Sequence, residues 1–161
     1  MRSCYDANHH LAAWSTTPLD TFDLDSRLAA DTLPLADLPL CRAVLMNDAR
    51  YPWVILIPRV PSVSEVFELS NQDQTQLWRE ATALGEAMKG AFHGDKLNIA
   101  TLGNVVSQLH LHLVVRYQDD ASWPAPVWGN GTPEPYSLNL QGQRREQLLA
   151  QIDGLNTTLN Q

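Results

Sequence analysis

The chain has 161 residues, of which 44% are hydrophobic, and a formal net charge of −7. This length and composition predict one packed domain over residues 1–161. The acidic balance argues against binding of a nucleic-acid polymer, which needs a basic surface. It does not argue against a small nucleotide, which backbone N–H groups can hold. No apolar run approaches about 18 residues and the N-terminus lacks a signal-type stretch, so we expect a cytoplasmic protein without a membrane span. Cys4 and Cys41 have neither disulfide nor zinc spacing.

The first half of the chain predicts a hairpin. Residues 1–21 are mixed and polar, which predicts a loosely ordered segment, and residues 22–36 predict a short helix followed by a turn. Two apolar runs at 41–46 and 53–57, the second stopped by Pro58, flank residues of turn type. They predict an antiparallel hairpin in the centre of a sheet.

The second half predicts a long helix, two more strands, an arm and a final helix. Residues 70–92 have apolar side chains at a period near 3.6, and strands are predicted at 97–101 and 105–117. Residues 118–136 are rich in Trp and Pro and predict an irregular arm, since proline at this density is incompatible with a helix or a central strand. A C-terminal helix is predicted at 141–155. This order predicts an α+β fold around an antiparallel sheet.

The most informative stretch is Gln-Leu-His-Leu-His at residues 108–112. Side chains alternate along a strand, so Gln108, His110 and His112 are expected on one face and the leucines in the core. A neutral imidazole attacks phosphorus when its second nitrogen donates a hydrogen bond. No carboxylate lies within five residues of His110. We therefore expect a backbone carbonyl to accept that bond.

The same pair of histidines is compatible with two other roles. A His-x-His strand supplies two ligands for zinc or iron, or it simply forms a polar sheet face. Spacing alone leaves catalysis, metal binding and a structural role open. A third metal ligand would have to come from His93, Asp119, Asp120, or the pair His9 and His10.

Aromatic and basic residues give a second indication of a ligand. Trp123 and Trp128 of the arm either pack in the core or stack on a base, where stacking contributes about 1–3 kcal/mol. Arg59 and Arg116 lie near the ends of predicted strands, and each could be a surface charge, part of a structural ion pair or a phosphate contact.

The ordered set of motifs resembles the histidine triad (HIT) superfamily of nucleotide hydrolases and transferases. The signature of that family is His-φ-His-φ-His-φ-φ, with φ apolar, and residues 108–114 match it with glutamine in place of the first histidine. The strand ending in Ile-Pro-Arg, the long helix and the turn into the motif also follow the family order over residues 38–130. Leu-Gly-Asn, Arg-Tyr-x-Asp-Asp and Trp-Pro-x-Pro-Val-Trp-Gly resemble a bacterial subgroup whose motif begins with Gln.

The resemblance implies an antiparallel sheet of about five strands with a long helix and a C-terminal helix. It implies that His110 attacks an α-phosphate and forms a nucleotidyl-histidine that water resolves, with His112 and Gln108 completing the catalytic group. It also implies a homodimer that needs no cofactor or catalytic metal. The expected contacts to nucleotide or phosphate are Asn98, Asn104, Ser107, Asn47 and Trp123.

Three functions remain open on the sequence. The first is hydrolysis or nucleotidyl transfer at a nucleoside phosphate derivative. The second is nucleotide binding or regulation without turnover. The third is a metal-dependent hydrolase with His110 and His112 as ligands. The expected partners are a nucleotide and a second copy of the chain, with no nucleic-acid polymer and no membrane.

Overall fold

The structure, a computed structural model, describes residues 22–159. The segment 1–21, predicted to be loosely ordered, lies outside the described residues. Five strands form one antiparallel sheet in the order β1-β2-β3-β5-β4. The strands are β1 (Thr32–Asp37), β2 (Cys41–Met46), β3 (Trp53–Pro58), β4 (Lys96–Ala100) and β5 (Leu111–Arg116). The helices are α1 (Ser26–Asp31), α2 (Asn71–Ala91) and α3 (Leu138–Leu159), with a short 3-10 turn at Val66–Glu68. The predicted α+β fold is confirmed.

The two central strands are buried on both faces. All six residues of β3 and all six of β5 are buried, which explains their almost continuous apolar sequences. Val54 and Leu111 belong to the cluster that these strands form with α2 and α3. Trp53 and Ile55 belong to a second cluster on the opposite face, together with Leu28 of α1.

Helix α2 forms the larger part of the first layer and also fixes a turn of the sheet. It begins after Ser70, whose hydroxyl accepts the backbone N–H of Asp73 and so caps the first turn. Its buried apolar positions are Leu77, Ala81, Leu84 and Met88. The buried carboxylate of Glu80 accepts the backbone N–H groups of Leu40 and Cys41 at 2.7 and 3.0 Å, which ties the β1–β2 turn to the helix.

Two local predictions are wrong in part. Residues 22–36 contain the predicted short helix, α1, but no turn follows it, because the chain leaves α1 directly into the edge strand β1. That strand exists through its pairing with β2, and pairing between distant residues leaves no mark on local periodicity. The motif strand does not span 105–117, because β5 begins only at Leu111. Before it, the N–H of Leu109 donates to the carbonyl of Val63 outside the sheet.

The C-terminal helix α3 packs on the same face of the sheet as α2. Residues 118–136 form neither helix nor strand, and α3 begins earlier than the predicted start at 141. Leu148 and Ile152 of α3 are fully buried in the cluster with α2. Among the helices of the described residues, none has the length and apolar character needed to cross a bilayer.

Candidate active site

A cavity of about 410 Å³ opens beside the second apolar cluster, on the sheet face that α2 does not cover. Its walls come from α1, from β3, from the loop at 102–106 and from the arm, and both motif histidines line it. Most of the lining is apolar, including Leu28, Ile55 and Trp128. This size and this mixture of apolar walls with few polar groups are typical of a small-molecule site.

The two imidazoles lie side by side in this cavity. His112 is in β5, paired with Ile55 of β3 and Ala100 of β4, whereas His110 immediately precedes the strand. Each histidine is 7% exposed. Their ring centroids are 5.0 Å apart and the rings meet edge to face at 77°. The structure therefore brings the two predicted histidines together at one opening.

A main-chain atom orients His110. Its Nδ1 lies 2.6 Å from the carbonyl oxygen of Gln108. A carbonyl only accepts hydrogen bonds, so Nδ1 must carry a proton, and in the neutral ring Nε2 then holds the lone pair. The backbone carbonyl of Gln108 is thus the kind of hydrogen-bond partner that the sequence predicts for His110.

His112 has a different partner. Its Nδ1 lies 3.0 Å from Nε1 of Trp53, a β3 residue that also lines the cavity. Burial, and then the neighbouring His110, lower the pKa of His112 to about 3 from the usual 6.5. His112 is therefore uncharged at neutral pH.

The structure does not bring the side chain of Gln108 to the histidines. Its Oε1 accepts the N–H of Asp25 and its Nε2 donates to the carbonyl of Asp23, both at 2.9 Å. The shared face predicted for residues 108, 110 and 112 fails at Gln108, because residues before Leu111 are outside β5 and do not follow strand alternation. Gln108 contributes its carbonyl to the site and its side chain to the segment that leads into α1.

Of the five predicted nucleotide contacts, Asn104 lines the cavity. Ser107 lies in a separate groove with Gln108. Oδ1 of Asn98 accepts a hydrogen bond from Nη1 of Arg116 at 2.8 Å, and Oδ1 of Asn47 accepts one from the backbone N–H of Tyr136 at 3.0 Å. Both amide side chains therefore form structural hydrogen bonds outside the cavity.

Trp123 is also away from the cavity. Its ring is 38% exposed and lies under the guanidinium of Arg116, 5.7 Å from its centroid. The arm residue that reaches the site is Trp128, which packs edge to face on His112 and Trp53 at centroid distances of 5.3 and 5.8 Å. The indole N–H of Trp128 is buried and has no hydrogen-bond partner within the described part of the chain.

Two ion pairs, one buried and one partly buried, hold the arm so that Trp128 reaches the histidines. Arg116 is 1% exposed, contacts both carboxylate oxygens of Asp120 at 2.7 and 3.0 Å, and donates to the carbonyl of Ala125 at 2.9 Å. Burial by itself raises the pKa of Asp120, but the hydrogen bonds from Arg116 and from the backbone N–H groups of Tyr117 and Ser122, with the charge of Arg116, together outweigh burial and lower the pKa to about 2. Arg116 therefore has a structural role, as the cation of a buried ion pair with Asp120.

The second pair anchors the other end of the arm. The buried Asp48 contacts Nη2 of Arg50 at 2.7 Å and accepts the N–H of Glu134 at 3.3 Å. Arg50 also donates to the carbonyl of Asn130 at 3.1 Å. Burial raises the pKa of Asp48, yet its bonds to Arg50 leave the pKa below its usual value. Asp48 acts here as a structural anchor.

Sequence reasoning missed several residues of the cavity. Trp53 and Ile55 have the pattern of ordinary core positions, and only the pairing of Ile55 with His112 brings them to the motif. Leu28 and Asp31 lie in α1, after which the sequence predicts a turn instead of the strand β1. No local signal in the sequence identifies them, because the register between distant strands and helices decides their place.

Of the metal ligands considered from the sequence, those in the described part of the chain do not gather around the histidine pair. Within residues 22–159, no three His, Cys, Asp or Glu side chains form a group that could hold a metal ion. Asp120 is paired with Arg116, and His93 lies at the end of α2. His9 and His10 are outside the described residues.

Comparison with known proteins agrees with the motif and the fold. The HIT domain family model matches residues 28–119. A histidine triad protein from Marinobacter aquaeolei is 49% identical, with a TM-score of 0.81 over 83% of this chain and 98% of that one. A histidine triad protein from Sinorhizobium meliloti is 41% identical, with a TM-score of 0.80 over 81% of this chain and 97% of that one.

A third crystal structure and the family match lead to the same conclusion. A histidine triad protein from Bradyrhizobium japonicum is 40% identical, with a TM-score of 0.80 over 81% of this chain and 98% of that one. No curated protein matches the chain at a significant level. The family match covers more than half of the chain and includes most of α1, the sheet, α2 and the His-x-His pair in its cavity. The chain therefore belongs to the histidine triad (HIT) family.

Proposed function

We propose that this chain catalyses hydrolysis or transfer at the α-phosphate of a nucleoside phosphate derivative, through a nucleotidyl group carried on His110. Proteins of the HIT superfamily are generally nucleotide hydrolases and transferases. One observation carries the proposal for this chain. The 2.6 Å bond between His110 Nδ1 and the Gln108 carbonyl leaves the lone pair on Nε2 of a histidine that lines the cavity. A neutral imidazole held in this way is an activated nucleophile.

The proposed reaction has two displacement steps. First, the Nε2 lone pair of His110 forms a bond to phosphorus while the bond from phosphorus to the leaving group breaks. The leaving group departs with the bonding electrons and takes a proton from water. The modified imidazole is cationic, and the Gln108 carbonyl stabilises its Nδ1–H. Second, water or an acceptor hydroxyl attacks phosphorus and loses a proton to solvent, and the electrons of the P–N bond return to Nε2.

The cavity supports a division of roles among its residues. His112 and Asn104 supply polar groups for the phosphate oxygens, and the apolar surfaces of Leu28 and Trp128 suit the nucleoside. The positions of Asn98, Ser107, Asn47 and Trp123 do not support direct contact with the nucleotide. Gln108 enters the proposal through its carbonyl alone.

We also propose that the protein is a homodimer in the cytoplasm. β4 is an edge strand of the sheet, and an edge strand offers unpaired backbone groups to another chain. Helix α2 packs against β4, and its Trp78 is 46% exposed, as apolar side chains at protein interfaces often are. These features support an interface between copies along β4 and α2.

Trapping of the covalent intermediate tests the reaction. The full chain is mixed with a panel of nucleoside phosphoramidates, quenched in alkali because a P–N bond to histidine is labile in acid, and weighed by mass spectrometry. We expect the mass to increase by one nucleotidyl group, and we expect no increase in His110→Ala. His93→Asn is the matched control, since His93 lies outside the cavity and asparagine tolerates its φ of 52°.

Two results would replace the proposal with one of its alternatives. Saturable nucleotide binding with neither adduct nor product would indicate a binding or regulatory protein. Activity that is abolished by EDTA and restored by zinc or manganese would indicate a metal-dependent hydrolase.

A further inference from the structure

We propose that Trp53 is a positioning residue whose indole N–H fixes His112 as the uncharged tautomer with its proton on Nε2. The two histidines then present opposite groups to the cavity, a lone pair from His110 and a hydrogen-bond donor from His112. The catalytic consequence rests on the proposed function, whereas the tautomer itself does not.

The tautomer follows from the chemistry of the two partners. Nε1 of Trp53 lies 3.0 Å from Nδ1 of His112. An indole nitrogen only donates, so Nδ1 of His112 must accept and cannot hold a proton. The single proton of the neutral ring is then on Nε2. An imidazolium at this position would turn a second N–H toward the indole N–H and lose the bond.

The packing around Trp53 keeps the donor in place. Trp53 is 5% exposed, and its ring meets those of His112, Trp128 and Tyr51 edge to face at centroid distances of 5.6, 5.8 and 6.5 Å. Rotation of the indole away from Nδ1 would displace these three rings. The direction of the N–H bond is therefore set by the core and is present before any ligand binds.

The fixed tautomer of His112 complements that of His110, in which the proton is on the other ring nitrogen. Its Nδ1–H donates to Gln108, so its Nε2 is the basic nitrogen. If His112 also held a lone pair on Nε2, that lone pair would repel a phosphate oxygen beside the nucleophile. With Nε2–H, His112 instead donates to that oxygen, as a preorganised neutral dipole.

Few charged or titratable groups lie close enough to His112 to favour its protonated, cationic form. Among the residues lining the cavity, the titratable or charged ones are His110 and, from α1, Arg27 and Asp31. The neighbours of His112 on β3 and β4 are the uncharged Ile55 and Ala100. Burial, with His110 adding to it, lowers the pKa of His112 to about 3. His112 consequently acts as a donor in hydrogen bonds and not as a proton-releasing acid, and the leaving group takes its proton from water.

Nuclear magnetic resonance of the full chain with nitrogen-labelled histidine tests the tautomer directly. We expect Nδ1 of His112 to have the shift of an unprotonated nitrogen and Nε2 that of a protonated one, unchanged from pH 8 to about pH 5. The decisive variant replaces Trp53 by benzothienylalanine, which keeps the shape of the indole and lacks its N–H. There we expect a mixture of tautomers and a His112 pKa that rises by at least about one unit.

Trp53→Phe is the second variant, and Trp128→Phe is the matched control. Trp128 has the same side chain against the same histidine, but its N–H has no partner in the part of the chain that the structure describes. We expect Trp53→Phe to reproduce the effect of the analogue and Trp128→Phe to leave the tautomer of His112 unchanged. A protonated Nδ1 in the wild-type protein, or an unchanged tautomer and pKa in the folded analogue, would overturn the proposal.

Kinetics separate this inference from the proposed function. If the covalent reaction occurs, removal of the indole N–H should add a limb to the pH profile of kcat at the new pKa of His112. Absence of a nucleotidyl adduct in every variant would refute the proposed function, and the nitrogen shifts would still decide the role of Trp53.

Discussion

The proposed nucleophile depends on a main-chain atom at position 108. His110 Nδ1 donates to the carbonyl of Gln108, and any residue at that position would supply the same carbonyl. Glutamine in place of the first histidine of the motif therefore does not remove the group that orients His110. At the scale of residues, the departure from the triad changes what the side chain does and leaves the orientation of the nucleophile intact.

His110→Ala should reduce kcat/KM by at least about a thousandfold, the scale expected when a covalent nucleophile is removed. The melting temperature should stay close to that of the wild type, because the imidazole lines a cavity and does not fill the core between the sheet and α2. Steady-state kinetics and calorimetry of the same preparation give both quantities. Residual activity above about a tenth of wild type is incompatible with a nucleophilic His110.

Gln108→Ala should raise KM by about tenfold, because two hydrogen bonds to the segment before α1 are lost. That segment leads into a helix that supplies Leu28 and Asp31 to the cavity. The motif by itself predicts a different result, in which Gln108→His gains a limb in the pH profile through proton sharing. The structure replaces that expectation, since the side chain faces Asp23 and Asp25. A changed pH profile of kcat with an unaltered KM in Gln108→His would restore the proton-handling role.

At the scale of elements, helix α2 holds a turn of the sheet through one buried carboxylate. Glu80 accepts the N–H groups of Leu40 and Cys41, and it also accepts Nε2 of Gln76 at 2.9 Å. Because these hydrogen bonds are directional, they fix the position of the helix both along the strands and perpendicular to them. The β1–β2 hairpin and the helix are thus joined by directional bonds in addition to apolar packing.

Glu80→Ala should lower the free energy of unfolding by about 2–5 kcal/mol, because two buried N–H groups lose their acceptor. Glu86→Ala is the control on the same helix, where the side chain is exposed, and its effect should stay within about 0.5 kcal/mol. Urea denaturation followed by circular dichroism measures both. Equal stability of the two variants would mean that water or a rearranged turn satisfies the N–H groups.

At the scale of the whole molecule, the buried neutral His112 makes stability depend on pH. Its pKa is about 3 in the folded chain, against 6.5 without the fold. Between these values the unfolded chain binds a proton that the folded chain does not, so stability falls as the pH falls. The lowered pKa values of Asp37, Asp48 and Asp120 contribute stability that is lost only below their usual value of 3.8.

Unfolding free energies between about pH 6.5 and 4.5 should therefore decrease toward acid in the wild type, and His112→Gln should have a flatter dependence. Glutamine cannot be protonated in this range, and its side-chain oxygen can accept the Trp53 N–H. Urea titrations at several pH values measure both slopes. Parallel slopes would show that His112 does not remain neutral in the folded protein.

The proposed dimer predicts a mass of about twice 18.0 kDa by light scattering at micromolar concentration. Ile99→Lys, on the open edge strand, should shift the mass toward that of the monomer, because an edge lysine opposes strand pairing. Leu140→Lys on α3 is the comparison, since that exposed residue is outside the proposed interface. A fully active wild-type monomer would contradict the interface.

Local sequence patterns were sufficient to predict most of the helices and strands and to indicate the family. Continuous apolar runs predicted β2 and β3, the 3.6-residue period predicted α2, and the proline density predicted an irregular arm. The order of these elements, together with the His-x-His pair, is typical of the family. Each of these features depends on contacts between neighbours in sequence, so the sequence alone determined them.

The cavity, in contrast, was decided by tertiary structure. The register that sets Ile55 opposite His112 and the late start of β5 at Leu111, which turns Gln108 away, both depend on strands far apart in sequence. The same holds for Trp53, whose pattern is that of a core residue and whose N–H nevertheless sets the proton of His112. Sequence thus determined which imidazoles are available for chemistry, whereas long-range pairing and packing determined the hydrogen bonds that give each imidazole its role. The physical reason is that a hydrogen bond depends on distances within about 3 Å, which only the assembled fold establishes.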